Sequence, residues 1–107
     1  MSAGAASPEE LEAMLEDACL LLNGTTFLTK LFDVDAVLLA RGRSQVRGRP
    51  VIANVIISQL RNGGSYVAAP QLVMQSGPLA LIISANATSV VKRNLDGWHY
   101  VISRLDL

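Results

Sequence analysis

Apolar residues recur at every third or fourth position near the start of the chain, and this spacing predicts an amphipathic helix. Ser7 and Glu10 have the spacing of a capping box, and Pro8 stands at the first helical position, where a missing N–H does no harm. The apolar face comprises Leu11, Met14, Leu15, Ala18 and Leu22. The opposite side, which we expect to face solvent, comprises Glu9, Glu12 and Glu16.

Turn residues divide the next part of the chain into short elements. Asn23-Gly24 predicts the end of the first helix, and the threonine pair at 25–26 predicts the start of a shorter helix that runs through Phe32. The apolar run 36–40 predicts a strand, and residues 45–48 predict its hairpin partner across a turn that carries arginine.

Residues 49–60 have a mixed pattern. Five β-branched residues favour a strand, whereas the length of the segment favours a helix. Pro50 suits the first turn of a helix, and Asn62-Gly63-Gly64 is a strong helix stop. We therefore predict a helix.

The last third of the chain has the composition of β-strands. Residues 66–75 predict one strand, in which Pro70 lacks a donor and implies an edge or a bulge. Residues 79–94 predict a second strand, and Asp96-Gly97 predicts a turn into a return strand from Trp98 to Leu105.

The return strand has two largely apolar faces, which is typical of a central strand covered on both sides. A period of two places on one face Trp98, Tyr100, Ile102 and Arg104. The same period places on the other face His99, Val101, Ser103 and Leu105.

Helices and strands occur in separate runs, which indicates an α+β domain with helices on one face of a curved antiparallel sheet. The 107 residues are enough for one hydrophobic core. We predict a disordered tail at residues 1–7 and a single domain at residues 8–107.

Composition excludes disordered and fibrous classes, because half of the residues are hydrophobic and the formal net charge is zero. The single cysteine, Cys19, cannot form an internal disulfide, so we expect a cytoplasmic protein in which Cys19 is a small buried hydrophobe. No stretch approaches the roughly 20 apolar residues that cross a membrane, and no basic and apolar leader begins the chain.

Arginines alternate along the predicted hairpin, a pattern seen in phosphate and nucleic-acid patches and also in solvated hairpins. They are Arg41, Arg43, Arg47 and Arg49. Aromatic residues are absent from this stretch and acids lie nearby in the sequence, so we expect no nucleic-acid partner.

Three segments resemble the nuclear transport factor 2-like superfamily, in its usual order. Residues 30–38 are similar to the entry into its first strand, and residues 46–52 to the entry into its third helix. Residues 93–102 resemble its closing hairpin, especially in the SnoaL-like, ketosteroid isomerase-like branch. The resemblance implies a cone in which the curved sheet wraps around the first helix and encloses an apolar cavity. It also implies a homodimer that forms through the back of the sheet.

The catalytic residues of such relatives do not carry over. Ala40 stands where the isomerase pattern has its aspartate base, and the only tyrosines, Tyr66 and Tyr100, lie outside the first helix. No acid in residues 79–91 matches the second isomerase acid, and no acid is expected inside the cone, as an epoxide hydrolase would need. The catalytic residues, if the protein has any, are therefore unknown from this pattern, and we predict no cofactor and no metal site.

The remaining expectation is a cone that binds a small apolar or amphipathic molecule. The predicted pocket residues are Met14, Tyr66, Met74, Ser84, Asn86, Trp98, Tyr100 and Arg104. One alternative is an isomerase, polyketide cyclase or hydratase that uses Tyr100, His99 or Arg104, and another is a structural dimerisation module. His99 is the only histidine and the obvious general base, but we expect it to point away from Trp98. A structural role is more common for such a histidine than a catalytic one.

Overall fold

Helices pack against one face of a six-stranded sheet in the computed structural model, which describes residues 4–21 and 25–107. The helices of this described part are α1 (Pro8–Leu21), α2 (Thr25–Lys30) and α3 (Arg49–Arg61). The strands are β1 (Phe32–Ala40), β2 (Val46–Arg47), β3 (Pro70–Ser76), β4 (Leu79–Ser84), β5 (Ala87–Asn94) and β6 (Gly97–Leu105).

The sheet has the strand order β2-β1-β6-β5-β4-β3 and is curved but not closed. Neighbouring strands are antiparallel except for β1 and β6, which run parallel. The predicted α+β class is therefore confirmed. One difference is the parallel pair β1–β6. The elements β2, α3 and β3–β5 lie between these two strands in the chain, and a parallel pair needs such a long connection.

Helix α1 begins as its sequence predicts. The Ser7 hydroxyl accepts a hydrogen bond from the Glu10 N–H (3.0 Å), and the Glu10 carboxylate accepts one from the Ala6 N–H (3.3 Å). These bonds satisfy N–H groups that have no partner within the helix. The predicted stop at Asn23-Gly24 lies outside the described residues.

The middle segments differ from prediction at one boundary. Helix α3 spans Arg49–Arg61, so the helical interpretation of this mixed pattern is confirmed. Helix α2, however, ends at Lys30, and Phe32 begins β1. Phe32 belongs to the strand because it pairs with Tyr100 of β6. In addition, the Tyr100 N–H donates a hydrogen bond to the Leu31 carbonyl at 2.9 Å.

The predicted strand 79–94 is two strands, β4 and β5. They pair antiparallel from Leu79↔Lys92 to Ser84↔Ala87, and only Ala85 and Asn86 connect them. This turn has no glycine or proline, which explains why the pattern does not reveal it. Strand β3 starts at Pro70 rather than at residue 66.

A β-bulge in β6 changes which residues face inward. Val91 pairs with Tyr100 but Val90 pairs with Ile102, so Val101 is an extra residue between them. Each residue after the bulge therefore lies on the opposite face from the one predicted. The inward, buried residues are Trp98, Tyr100, Ser103 and Leu105. Ile102 and Arg104, predicted to share a face with Trp98, are exposed instead.

Residues 4–7 pack against the sheet, although the sequence predicts a disordered tail there. Ala5 is buried and forms an isolated bridge with Trp98, whose N–H donates to the Ala5 carbonyl at 3.0 Å. Residues 1–3 of the predicted tail lie outside the described residues.

The outer face of the sheet carries a row of apolar residues that crosses five strands. Strand register aligns them as Met74, Leu81, Val90, Ile102 and Val37. We call this set the outer row. Met74 is 56% exposed and Ile102 is 53% exposed, and the nearby Leu72 and Leu79 are about half exposed as well.

Candidate functional site

A carboxyl group lies at the centre of the core, where α1 faces the inner side of the sheet. Glu12 is only 1% exposed. Its Oε1 accepts hydrogen bonds from the Tyr66 hydroxyl (2.7 Å) and the Ser84 hydroxyl (3.0 Å), and its Oε2 accepts one from the Tyr100 hydroxyl. The sequence prediction that Glu12 faces solvent, and that no carboxylate enters the cone, is therefore wrong. Three hydroxyl donors compensate for the lost hydration of the carboxylate.

The three donors come from separate parts of the fold. Tyr66 belongs to the segment between α3 and β3, Ser84 ends β4, and Tyr100 lies in β6 just before the bulge. One turn further along α1, the Glu16 carboxylate accepts a hydrogen bond from the Ala68 N–H at 2.6 Å. Two acids of α1 thus bind the segment that leads into β3.

The surroundings of Glu12 keep both tyrosines protonated. Burial raises the pKa of Tyr100 well above its ordinary value, and the negative charge of Glu12 raises it further. The pKa of Tyr66 is raised by the same two causes, burial first. Both hydroxyls therefore remain hydrogen-bond donors at neutral pH.

Cys19 lies near this cluster and is also buried. Burial, followed by the charge of Glu16, raises the pKa of the Cys19 thiol to about 11. The thiolate is thus disfavoured at neutral pH, which agrees with the predicted role of Cys19 as a buried hydrophobe.

The spacing of residues in α1 does indicate that Glu12 could be buried. It precedes Leu15 by three residues and Cys19 by seven, so it borders the apolar stripe of α1 rather than lying opposite. The sequence does not reveal which hydroxyls meet it, because Tyr66, Ser84 and Tyr100 are 54, 72 and 88 positions away.

A cleft of about 430 Å³ opens beside this core, between α1, α2 and the start of β6. We call it the mouth cleft. Its apolar wall is formed by Met14, Phe27, Leu31 and Trp98. Its polar lining includes Lys30, Arg49, Asp96 and His99.

The polar groups of the mouth cleft include two cations. The Arg49 Nε donates to the Phe32 carbonyl at 2.8 Å, and within the described residues its terminal nitrogens have no acceptor. Lys30 is exposed at the end of α2. His99 Nδ1 lies 3.1 Å from the Gly97 carbonyl, so Nδ1 carries the proton because a carbonyl can only accept. His99 and Trp98 border the same cleft, although successive residues of β6 alternate between the two faces of the sheet at this point.

The eight predicted pocket residues lie in several places. Tyr66, Ser84 and Tyr100 meet at Glu12, whereas Met14 and Trp98 line the mouth cleft.

The other three predicted pocket residues lie elsewhere. Met74 belongs to the outer row, and Asn86 is exposed in the turn between β4 and β5. Arg104 is exposed on the outer face of β6, with its Nη2 3.9 Å from the Asp106 carboxylate. The β6 bulge separates it from Trp98 and Tyr100.

Two further features concern metals and membranes. Among the described residues, no three histidine, cysteine, aspartate or glutamate side chains group in a way that could hold a metal ion. No helix in this part of the chain has the length and apolarity needed to cross a membrane. The cytoplasmic location stays a prediction.

Comparison with known proteins rests on structure alone, since no protein-family model and no curated protein sequence matches the chain. A Thiobacillus denitrificans protein, provisionally named a calcium/calmodulin-dependent protein kinase type II association domain, has 15% identity and a TM-score of 0.76. The similarity covers 96% of each chain.

Two further solved structures are similar to the chain. A nuclear transport factor 2-like protein with a cystatin-like fold from Novosphingobium aromaticivorans has 18% identity, covers 92% of this chain and 78% of its own, and has a TM-score of 0.72. A Parabacteroides distasonis protein, provisionally named a ketosteroid isomerase, has 16% identity, covers 94% and 87%, and has a TM-score of 0.60.

These structural similarities identify the fold of the chain. The chain has the nuclear transport factor 2-like, or cystatin-like, fold, as the three sequence segments imply. Its place in the SnoaL-like branch stays a prediction.

Proposed function

We propose that this protein binds a small amphipathic organic anion in the mouth cleft. The observation that carries the proposal is the pairing of an apolar wall with two cations, Lys30 and Arg49, in a cleft of about 430 Å³. Ligand sites of this size usually combine apolar walls with a few polar groups that orient the ligand.

Each part of the ligand has a matching part of the cleft. Trp98 lines the cleft and is held by the Ala5 bridge, so it forms a rigid part of the apolar wall although only 3% of the residue is exposed. Phe27 is 41% exposed and can cover more apolar area on binding. Arg49 begins α3, so the positive end of this helix adds to the attraction for an anionic group.

The proposal does not include catalysis. Glu12 is an acid inside the cone, where the sequence predicts none. Its two oxygens, however, already accept three hydrogen bonds. The enzymatic alternative of an isomerase, cyclase or hydratase therefore gains no free base from Glu12.

The test uses Trp98, the only tryptophan of the chain and a wall of the cleft. Titration with naphthalene-1-carboxylate should change the tryptophan fluorescence in a saturable way. The neutral alcohol of the same ring system should bind about tenfold more weakly, because it loses a charge-assisted hydrogen bond.

Matched variants separate the cleft from general charge effects. Lys30→Gln should weaken carboxylate binding, whereas Lys92→Gln, which removes an exposed charge from β5, should leave it unchanged. Equal binding of acid and alcohol, or an equal effect of the two variants, would contradict the proposal. An absence of any saturable change would contradict it as well.

We also propose that a second copy of this chain covers the outer row. The apolar row across five strands is the observation in favour, because an apolar area of this kind on a soluble surface commonly marks an interface. The similar Thiobacillus denitrificans protein is named as an association domain, and this also favours assembly.

A further inference from the structure

Arginine side chains from two distant parts of the chain border one surface depression. Arg41 and Arg43 lie in the turn after β1, and Arg104 lies near the end of β6. The depression has a volume of about 600 Å³ and also contacts Asp106. We call it the arginine depression, and it is separate from the mouth cleft and from Glu12.

The parallel pairing of β1 and β6 brings these arginines together. Leu39 pairs with Arg104 and Ala40 pairs with Leu105, so the C-terminal ends of the two strands lie side by side. The turn beyond β1 is fixed by the Arg43 N–H, which donates to the Ala40 carbonyl at 3.2 Å.

Positive charge in the depression is poorly compensated. Within the described residues, Arg104–Asp106 is the only ion pair, and its 3.9 Å separation and exposed arginine make it weak. Among the residues that the structure describes, Arg43 Nη2 donates only to the Ser58 hydroxyl, at 3.5 Å. No carboxylate of the described part lies within 4.0 Å of Arg41 or Arg43.

Three arginines and one aspartate thus line the depression, although the whole chain has a formal net charge of zero. This local excess of positive charge would attract an anion. Guanidinium groups match the oxygens of a phosphate in both charge and geometry.

We propose that the arginine depression binds a small phosphorylated molecule. Its volume lies within the range of small-molecule sites. Its lining has no aromatic side chain on which a nucleic-acid base could stack, so the site fits the phosphate group rather than a base.

The test is calorimetric titration of the protein with pyrophosphate in low-salt buffer. We expect saturable binding to one site per chain, and Arg104→Gln or Arg41→Gln should weaken it about tenfold each. Asp106→Asn should strengthen binding, because it removes the carboxylate that competes for Arg104.

Arg61→Gln is the matched control, since it removes the same charge from the end of α3, outside the depression. It should change pyrophosphate affinity less than twofold, and circular dichroism should confirm that each variant is folded. The proposal would be overturned by an absence of saturable binding or by an equal loss in Arg61→Gln. Tighter binding of a single-stranded oligonucleotide than of pyrophosphate would also overturn it.

Discussion

At the residue scale, Glu12 joins α1 to three distant parts of the fold from inside the core. A buried carboxylate is stable only when hydrogen bonds compensate for its lost hydration, and here Tyr66, Ser84 and Tyr100 do so. No buried side-chain nitrogen or oxygen in the described residues lacks a partner. The cluster therefore sets the position of α1 relative to the sheet as well as contributing to stability.

Glu12→Met should lower the free energy of unfolding by roughly 3 kcal/mol or more, because three buried hydroxyls lose their acceptor at about 1–3 kcal/mol each. Glu12→Gln should lower it less, since the amide oxygen still accepts. Urea denaturation followed by circular dichroism measures both changes.

Glu9→Met is the control on the exposed side of the same helix, and its effect should stay within about 0.5 kcal/mol. Tyr66→Phe should destabilise the natural protein but stabilise the Glu12→Met variant, because it removes a hydroxyl without an acceptor. If Glu12→Met were as stable as Glu12→Gln, the hydrogen bonds would not have the role described here.

At the element scale, the hairpin between β5 and β6 is shaped by contact with the start of the chain. Gly97 has φ +115°, which residues with a side chain rarely adopt. A Cβ there would lie 2.5 Å from the Ala5 carbonyl oxygen. Gly97 thus allows both the turn and the bridge between Ala5 and Trp98.

Gly97→Ala should therefore destabilise the protein more than Gly77→Ala. Gly77 also has a positive φ, of 58°, but a Cβ there meets nothing within 4 Å. Gly77→Ala should lower the free energy of unfolding by about 1–2 kcal/mol, the ordinary left-handed penalty. Gly97→Ala adds the displacement of Ala5, and urea denaturation compares the two.

Deletion of residues 1–6 provides the check on this explanation. In the shortened chain the difference between the two alanine variants should shrink, because the Ala5 carbonyl is gone and only the less favourable φ of Gly97 remains. A difference that is unchanged by the deletion would show that Ala5 does not contribute to the cost.

The pattern of β6 illustrates what local reasoning misses. A period of two predicts the faces of Trp98 and Tyr100 together correctly, but it fails at Ile102 and Arg104 after the bulge at Val101. The extra residue is visible only in the pairing of β6 with β5, and no residue type within β6 predicts the bulge.

At the scale of the whole molecule, the outer row leads to a prediction about assembly. Ile102→Asp should convert the proposed dimer to a monomer, because a charge would be buried in the middle of an apolar interface. Sedimentation equilibrium at several protein concentrations measures the mass.

Leu95→Asp is the control, since Leu95 is fully exposed at the tip of the β5–β6 hairpin and lies away from the outer row. It should leave the mass unchanged. If the natural protein sediments as a monomer, or if Ile102→Asp remains a dimer, a second copy does not cover this face.

Much of the fold could be predicted from the sequence. The capping box of α1, the helical pattern of α3 and the Asp96-Gly97 turn are local signals, and the structure contains each element. The candidate sites could be predicted only in part. Trp98 and Met14 do share the mouth cleft, but Lys30 and Arg49 join them only because α2 ends and α3 begins beside β6.

The sequence by itself determined the order and type of most elements, because capping, periodicity and turn chemistry act over a few neighbouring residues. Only the tertiary structure decided which hydroxyls surround Glu12, which way Arg104 faces and where the arginines gather. Those outcomes depend on strand register and on contacts between residues up to 88 positions apart, and no local pattern encodes them.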